Sequence, residues 1–173
     1  MNTTKGHVEE ETKDLIAWTV RVEVGQALGM RDSLSKRAVE NSADILLANA
    51  DMVFGMDHLR SALYHAERAI SEGTNSSDSL VMETMLYASG ERQLSAAIKK
   101  MSVGNDTTEI VIAVLRGEIG PLSGWEKLPD AITAPSGDRL KRFGVTDLEL
   151  RTRACSPVEL VLEKVMAVDI LKK

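Results

Sequence analysis

The sequence predicts a single α/β (α+β) domain in which a small sheet, mostly antiparallel or mixed, packs with about five to seven helices. Its length of 173 residues suits one domain with a sizeable core. Hydrophobic residues make up 43% and charged residues 27%, proportions typical of globular rather than disordered or fibrous chains. Strand-like apolar runs also alternate with segments of helical periodicity, which is the pattern of a mixed fold.

The first predicted element is a strand that follows a polar N-terminal segment. Residues 1–13 contain three consecutive glutamates and almost no apolar side chain, so they are predicted to form a flexible acidic tail before a domain spanning 14–173. From Leu15 to Val24, apolar and polar residues alternate as in a half-buried strand. The predicted core face carries Trp18, Val20, Val22 and Val24, and the predicted solvent face carries Thr19, Arg21 and Glu23.

Two helices are predicted next. The first begins with Asp32 as its N-cap and runs to about Leu46. The second begins with Asp57 as its N-cap, and Gly73 is available as its C-cap residue. Apolar residues at helical spacing anchor both helices to the core. They are Leu34, Ala38 and Ile45 in the first helix, and Leu59, Leu63, Ala66 and Ile70 in the second.

A pair of helices separated by Gly90 follows a polar loop. The helix from about Ser79 is surrounded by apolar side chains, so most of its circumference is predicted to be buried. Gly90 ends this helix, and Ser89 is predicted to cap the following one. The following helix has an inward stripe of Leu94, Ala97, Ile98 and Met101, and leaves Arg92, Lys99 and Lys100 in water.

The remaining elements are a central strand, a long excursion and a strongly signalled last helix. Residues 109–115 form an unbroken, β-branched apolar run, as expected of a strand covered on both faces. Residues 116–138 are rich in glycine and proline and are predicted to lie mostly on the surface. A helical turn is expected over 137–144, and a short strand over 145–151. Ser156, Pro157 and Glu159 form a capping box that starts a helix running to about Leu171.

Charge and cysteine content restrict the function classes. The net charge of −5 argues against a protein that coats nucleic acid by bulk charge, although a local basic patch is compatible with it. The single cysteine excludes an internal disulfide framework and a cysteine-cluster zinc site, and favours a reducing compartment, with the cytoplasm expected. No apolar run approaches the ~18–20 residues that span a bilayer, so neither membrane insertion nor secretion is expected.

The sequence gives little sign of an active site, a cofactor or a metal. Phosphate-binding G-x-x-x-x-G-K-[ST], G-x-G-x-x-G, G-x-S-x-G and H-E-x-x-H motifs are all missing from it. His58 and His65 lie about two turns apart on one helix, too far to share a metal directly, and a structural or solvent-facing role is favoured. Basic neighbours could lower the pKa of Cys155, but a plain buried or half-buried thiol is favoured. No catalytic residue, cofactor or metal is therefore predicted.

The junction 87–93 is a candidate binding site. Free N–H groups at the start of the second helix would form a weak anion site, and Gly90 would permit close approach to the backbone. Arg92 and Lys99 could add positive charge, and Tyr87 is the adjacent aromatic residue. An ordinary capped corner between two helices explains the same residues and remains an alternative.

The last helix is a second candidate, this time for a protein partner. Residues 158–171 carry few polar side chains, and so wide an apolar surface exceeds the single stripe needed to dock on one sheet. Either this helix is deeply buried, or part of it contacts a partner.

Three segments together carry a family resemblance. They are NADMVFGMDHLRSALYHAERA (49–69), SLVMETMLYASGERQLSAAIKK (79–100) and a final helix VELVLEKVMAVDILKK (158–173). The second segment contains S-G-x-R-Q within a helical pair, which is rather specific. The chain resembles the small accessory subunit of the KEOPS complex, the family of the PRPK-binding protein TPRKB, and is similar to its archaeal type.

The resemblance implies a noncatalytic subunit of the machinery that installs threonylcarbamoyladenosine in tRNA. Its direct partner would be the kinase-like ATPase subunit, with the transferase and dimerising subunits reached indirectly and no membrane involved. It also implies capture of the 3′-CCA end of tRNA, with Ala88, Ser89, Gly90 and Arg92 as the best candidates. Tyr87 and Lys99 are further candidates. The alternative is a scaffolding or allosteric regulator of the kinase-like subunit without direct RNA contact.

Overall fold

A four-stranded antiparallel sheet separates two helical layers in the computed structural model, which describes residues 15–128 and 135–172. The strands are β1 (Ile16–Arg21), β2 (Asp44–Asn49), β3 (Glu109–Arg116) and β4 (Glu126–Leu128), in the spatial order β2-β3-β1-β4. The helices are α1 (Ala27–Glu40), α2 (Met56–Glu72), α3 (Leu80–Ser89), α4 (Leu94–Met101), α5 (Gly137–Phe143), α6 (Asp147–Thr152) and α7 (Pro157–Leu171). A 3₁₀ turn (Ala50–Met52) follows β2. The predicted α+β class is confirmed.

Alternate residues of β3 face the two layers, because successive side chains of a strand point to opposite faces. Val111 and Ala113 belong to the larger core, which also contains residues of α2, α3, α4, α5 and α7. Ile110 and Ile112 belong to the smaller core with residues of α1. The prediction that residues 109–115 form a central strand covered on both faces is thus confirmed.

Several predicted helix ends are confirmed by cap geometry. Ser79 Oγ accepts a hydrogen bond from the Met82 amide at the start of α3, and Gly73 ends α2 in the left-handed conformation. Ser156 and Glu159 form the predicted capping box of α7. The predicted helical turn at 137–144 is α5. Such short-range signals depend on residues that are neighbours in sequence, which explains why the sequence revealed them.

The first predicted helix was placed wrongly. The structure places α1 at Ala27–Glu40, with Leu34 and Ala38 buried as expected, and Ile45 belongs to a separate strand, β2. Ser42 has a φ of 51° and turns the chain between the two elements. The apolar run at 45–48 pairs with β3, and this long-range pairing outweighs its compatibility with a helix.

The predicted solvent face of β1 is also wrong in part. Thr19 is buried, because β1 is an inner strand of a sheet that has helices packed on both faces. Val24 was assigned to the core face but is exposed, since the strand ends at Arg21.

Residues 145–151 form no strand, contrary to the prediction. They contain most of α6, where Thr146 and Glu149 form a capping box. The T-x-x-E spacing that signals this helix start is the same type of signal that revealed α7.

The glycine- and proline-rich segment is only partly a surface excursion. It contributes β4 to the sheet, and Ile119 and Leu122 are buried in the smaller core. Its residues 129–134 lie outside the described residues, as does the predicted tail at 1–13.

Candidate functional site

The corner between α3 and α4 is closed by hydrogen bonds among its own backbone groups and the Ser89 hydroxyl. Gly90 has a φ of +67°, and its amide donates to the Tyr87 carbonyl at 3.0 Å. The Glu91 amide donates to Ser89 Oγ at 3.1 Å, and this hydroxyl donates to the Leu86 carbonyl. The amides of Gly90 and Glu91 are therefore already used by the fold. Ser89 is the last residue of α3 rather than the cap of α4, so that prediction was wrong.

Gly90 permits a close approach, but the approaching element is α7. A methyl group at Gly90 would lie 3.2 Å from Cβ of Lys164, closer than most carbon contacts. The glycine lets α3 end against α7. Lys164 in turn extends to Glu149 of α6, with an Nζ to Oε1 distance of 3.1 Å. The corner is thus bounded by α7 and α6 as well as by its own helices.

Lys100 connects the ends of two helices at this corner. Its Nζ donates to the Ser89 carbonyl at the end of α3 and to the Phe143 carbonyl at the end of α5, both at 2.6 Å. It also donates to Glu91 Oε1 at 3.1 Å. Burial lowers the pKa of Lys100, while the hydrogen bond to Glu91 acts in the opposite direction. Lys100 was predicted to lie in water, and its partial burial corrects that prediction.

His58 fixes the other side of the same corner. The Phe54 amide donates to its Nδ1 at 3.1 Å, and its Nε2 lies 2.8 Å from the Ala88 carbonyl. These partners define a neutral ring with its proton on Nε2. Complete burial lowers the pKa of His58 to about 4. Both ring nitrogens of His58 are thus bonded to the backbone, as expected for the structural role favoured from the sequence.

The start of α4 is open at the surface. Its N-cap residue Gln93 makes no side-chain cap, and its first turn holds no acidic residue. The first amides of a helix have no intrahelical acceptor, so this N-terminus is available to an anion. Arg92 is exposed just before this N-terminus, and Lys99 is exposed in the last turn of α4. The open amides therefore lie downstream of Gly90, at the beginning of α4.

The six predicted site residues fall into two groups. Tyr87, Ala88 and Ser89 are fully buried, with a relative exposure of 0%. Gly90 is half-buried, and Arg92 and Lys99 are exposed. The second group lies at the surface, where a ligand could contact it, while the first group shapes the corner from inside.

A polar network attaches the end of α7 to α2 and α3, and sequence reasoning missed it. Asp169 accepts hydrogen bonds from the Tyr87 hydroxyl at 2.5 Å and from Arg68, and lies 2.9 Å from Nδ1 of His65. Burial acts to raise the pKa of Asp169, but the bonds from Tyr87 and Arg68 lower it overall. Burial also raises the pKa of Tyr87.

A buried ion pair adds a second attachment of α7. Lys172 Nζ lies 2.7 Å from Oε1 of Glu83, and both side chains are almost completely enclosed. Glu83 Oε2 also accepts from the amides of Ser76 and Ser77 at 3.0 Å. The end of α7 is therefore held in one position relative to α3.

The outer face of α7 carries an apolar stripe, which we define as Met166 and Ile170. They lie one turn apart, and Ile170 is 75% exposed. Leu171 is also exposed, and so is Tyr64 on α2, which lies beside Arg68. The opposite face of α7 is buried through Leu160, Val161, Val165 and Val168. One face of this helix is therefore buried and the other is exposed, and contact of the exposed face with a partner stays a prediction.

Cys155 is half-buried. Burial, together with the carboxylates of Glu163 and Glu159, raises its pKa, and this outweighs the opposite effect of Arg153. The thiol is therefore less readily ionised than its basic neighbours suggested.

An open cavity of about 590 Å³ lies away from the corner. Its walls include Arg21, Glu23, Met30, Trp125 and Glu126, and it contains none of the predicted site residues. Within 15–128 and 135–172, no three His, Cys, Asp or Glu side chains are grouped to hold a metal ion. None of the helices in these ranges has the length and apolar content needed to cross a bilayer.

These features define an α+β protein with an exposed apolar helix face and a helix corner built by buried polar contacts. A model of the family described as kinase binding protein CGI-121 matches residues 22–141, more than half of the chain. The chain belongs to this family, the family of TPRKB, which confirms the family resemblance, while the archaeal type stays a prediction. The family description supports a kinase-binding accessory role. No curated protein matches the chain.

Proposed function

We propose that this protein is a noncatalytic accessory subunit of the KEOPS complex that installs threonylcarbamoyladenosine in tRNA. Its direct partner is the kinase-like ATPase subunit, and it reaches the transferase and dimerising subunits through that partner in the cytoplasm. Membership in the kinase-binding family is the observation that carries the proposal. The neutral, fully bonded His58 and the raised pKa of the Cys155 thiol support a role in binding rather than catalysis.

The outer face of α7 is the proposed docking surface for the kinase-like subunit. Its stripe of Met166 and Ile170 is apolar and exposed. Asp169 and Lys172 fix the end of the helix, so little conformational entropy is lost when a partner covers the stripe.

Capture of the 3′-CCA end of tRNA is the second part of the proposal. The exposed Arg92 precedes the open N-terminus of α4, and the exposed Lys99 lies in the last turn of the same helix, so a single strand running along α4 could place one or two phosphates against them. The net charge of −5 predicts weak RNA binding by the isolated subunit, with a shallow salt dependence because few phosphates are neutralised.

Co-purification from the native host tests the partner assignment. We expect the kinase-like ATPase and the transferase to be recovered together with this chain. Recovery of the chain without either of them would contradict the proposed complex. Robust turnover by the isolated chain would contradict the noncatalytic role.

Binding of intact and CCA-trimmed tRNA tests the RNA assignment. We expect trimming to weaken binding, and Arg92→Ala and Lys99→Ala to weaken binding of the intact tRNA. Lys36→Ala is a matched control, because Lys36 is exposed on α1, which packs against the opposite face of the sheet. Equal binding of intact and trimmed tRNA would favour the alternative below.

The alternative function is a scaffolding or allosteric regulator of the kinase-like subunit that does not contact RNA. The burial of Tyr87, Ala88 and Ser89 favours it, because these residues are already explained by packing. Kinase binding combined with equal affinity for both tRNA forms would establish it.

A further inference from the structure

Lys100 is enclosed where α3, α4 and α5 meet. Two of its hydrogen bonds go to backbone carbonyls, those of Ser89 and Phe143, at the C-terminal ends of α3 and α5. A cation at a helix C-terminus satisfies carbonyls that lack an intrahelical donor. These two partners are fixed by the fold.

The third partner of Lys100 is a side chain that can move. An ammonium group has three N–H donors, and the third donates to the Glu91 carboxylate at 3.1 Å. Glu91 is 36% exposed in its side chain, whereas Lys100 is 15% exposed. The carboxylate therefore covers the buried cation from the solvent side.

We propose that Glu91 occupies an anion position on Lys100 that a phosphodiester of the RNA end takes over when it binds. The inference rests on the proposed function, since the ligand is the 3′ end of tRNA. Phosphate and carboxylate oxygens both accept charge-assisted hydrogen bonds from an ammonium group, so a phosphate replaces Glu91 without a change in the sign of the charge. The adjacent Arg92 and the nearby Lys99 supply positive charge for the same strand.

Glu149, the carboxylate on the α6 side of the corner, does not replace Glu91 on Lys100. Glu149 accepts hydrogen bonds from the amide and the hydroxyl of Thr146, and its carboxylate lies 3.1 Å from Nζ of Lys164. These contacts lower its pKa to about 2, so its charge stays committed to α6 and α7. Glu91 is thus the exchangeable carboxylate of the corner.

A tethered carboxylate also discriminates between ligands. Because Glu91 is part of the chain, it competes with a free phosphate at high effective concentration. An RNA end that also contacts Arg92 and Lys99 gains additional binding energy, which offsets the loss of the Glu91 contact. The resting corner therefore excludes isolated phosphate and accepts a strand end.

Glu91→Gln tests the inference in the full chain. The variant removes the charge but keeps the side-chain length and an oxygen that accepts from Lys100. We expect its affinity for intact tRNA to rise about threefold to tenfold, as for the loss of a partly exposed charge pair. Glu40→Gln is the matched control, since it removes the same charge from α1 on the other side of the sheet, and we expect a change below about twofold.

A titration with inorganic phosphate locates the anion. We expect phosphate to shift the NMR signals of the Gly90 and Gly144 amides in Glu91→Gln and to leave them unshifted in the unsubstituted protein. Thermal unfolding of both proteins checks that the fold is intact.

The outcomes separate this inference from the proposed function. Unchanged or weaker tRNA binding by Glu91→Gln overturns the inference, and so does an equal rise in tRNA affinity in Glu40→Gln. In either case, tRNA binding that still depends on the CCA end leaves the proposed function intact. Loss of tRNA binding in every protein, unsubstituted included, overturns the RNA role. The phosphate titration then decides whether the anion position exists without RNA.

Discussion

Gly90 and Gly73 adopt the same backbone conformation in different surroundings. Both end a helix with a φ of +67°, but only Gly90 of the two has a neighbour, Lys164, within 4 Å of an added Cβ. The left-handed conformation disfavours any L side chain at both positions. The contact with Lys164 adds a second constraint at Gly90, which connects a backbone feature of α3 to the position of α7.

We expect Gly90→Ala to lower the free energy of unfolding more than Gly73→Ala. Gly73→Ala should cost about 1 kcal/mol, from the conformation alone. Gly90→Ala should cost roughly 2–3 kcal/mol, because Lys164 must also shift. Urea unfolding of both variants measures the difference. Equal losses would mean that α7 moves away without cost.

His58 makes stability depend on pH. Its pKa is lowered to about 4 in the folded state by burial, against about 6.5 in an unfolded chain. The unfolded state therefore binds a proton at a higher pH than the folded state does. The resulting stabilisation is complete above pH ~6.5 and is lost as the pH falls toward ~4.

We expect His58→Gln to flatten the pH dependence of stability between about pH 4 and pH 6.5. Glutamine can still accept from the Phe54 amide and donate to the Ala88 carbonyl, but it does not titrate. The difference in slope should correspond to roughly 3 kcal/mol over this range. Urea unfolding at a series of pH values measures it. Parallel curves for the two proteins would show that folding does not lower the pKa of His58.

At the scale of elements, buried polar side chains determine how the helices meet. Lys100 joins the ends of α3 and α5, and Arg139 of α5 donates to the carbonyls of Ala50 and Val53 beyond β2. Asp169 and Lys172 attach the end of α7 to α3 through Tyr87 and Glu83. Apolar packing tolerates some sliding, whereas these bonds require one arrangement.

We expect Lys100→Met to destabilise the protein by roughly 2–4 kcal/mol, because two buried carbonyls lose their donor. Lys99→Met is the matched control, since Lys99 is exposed on the same helix, and it should change stability by less than about 0.5 kcal/mol. Chemical denaturation of both variants provides the comparison. Similar small effects would indicate that water replaces Lys100 at these carbonyls.

For the whole molecule, the sheet separates the helices of the proposed binding surfaces from α1. The corner and the outer face of α7 both belong to the layer built by α2–α5 and α7. The buried side of α7 contacts Gly90 through Lys164, while its exposed side carries the apolar stripe. One helix thus lies between the proposed RNA and partner surfaces.

We expect Ile170→Glu to weaken binding of the kinase-like subunit by at least about 100-fold, as for an apolar interface anchor that becomes charged. Its effect on stability should be small, because Ile170 is exposed. Val39→Glu is the matched control, since Val39 is equally exposed on α1. Calorimetric titration with the purified partner measures both affinities. Full-strength binding by Ile170→Glu would place the interface elsewhere.

The sequence by itself determined the fold class, the family and those elements whose signals are local. Such signals depend on neighbouring residues or on periodicity. They include the helix start at Ser79, the caps at Gly73 and Ser156, and the apolar run of β3. The T-x-x-E spacing of Thr146 and Glu149 is equally local, but the strand predicted over 145–151 did not take it into account. The six site residues remain a prediction of the family resemblance.

Only the tertiary structure decided which of these residues are accessible and what surrounds them. β2 is a strand because β3 lies beside it, and Thr19 is buried because both faces of the sheet are covered by helices. Lys100 is enclosed because Phe143 at the end of α5, 43 residues away in sequence, packs against it. Gly90 has no room for a side chain because Lys164 of α7 packs against it. Such contacts join residues far apart in the chain, so their energies cannot be read from local spacing.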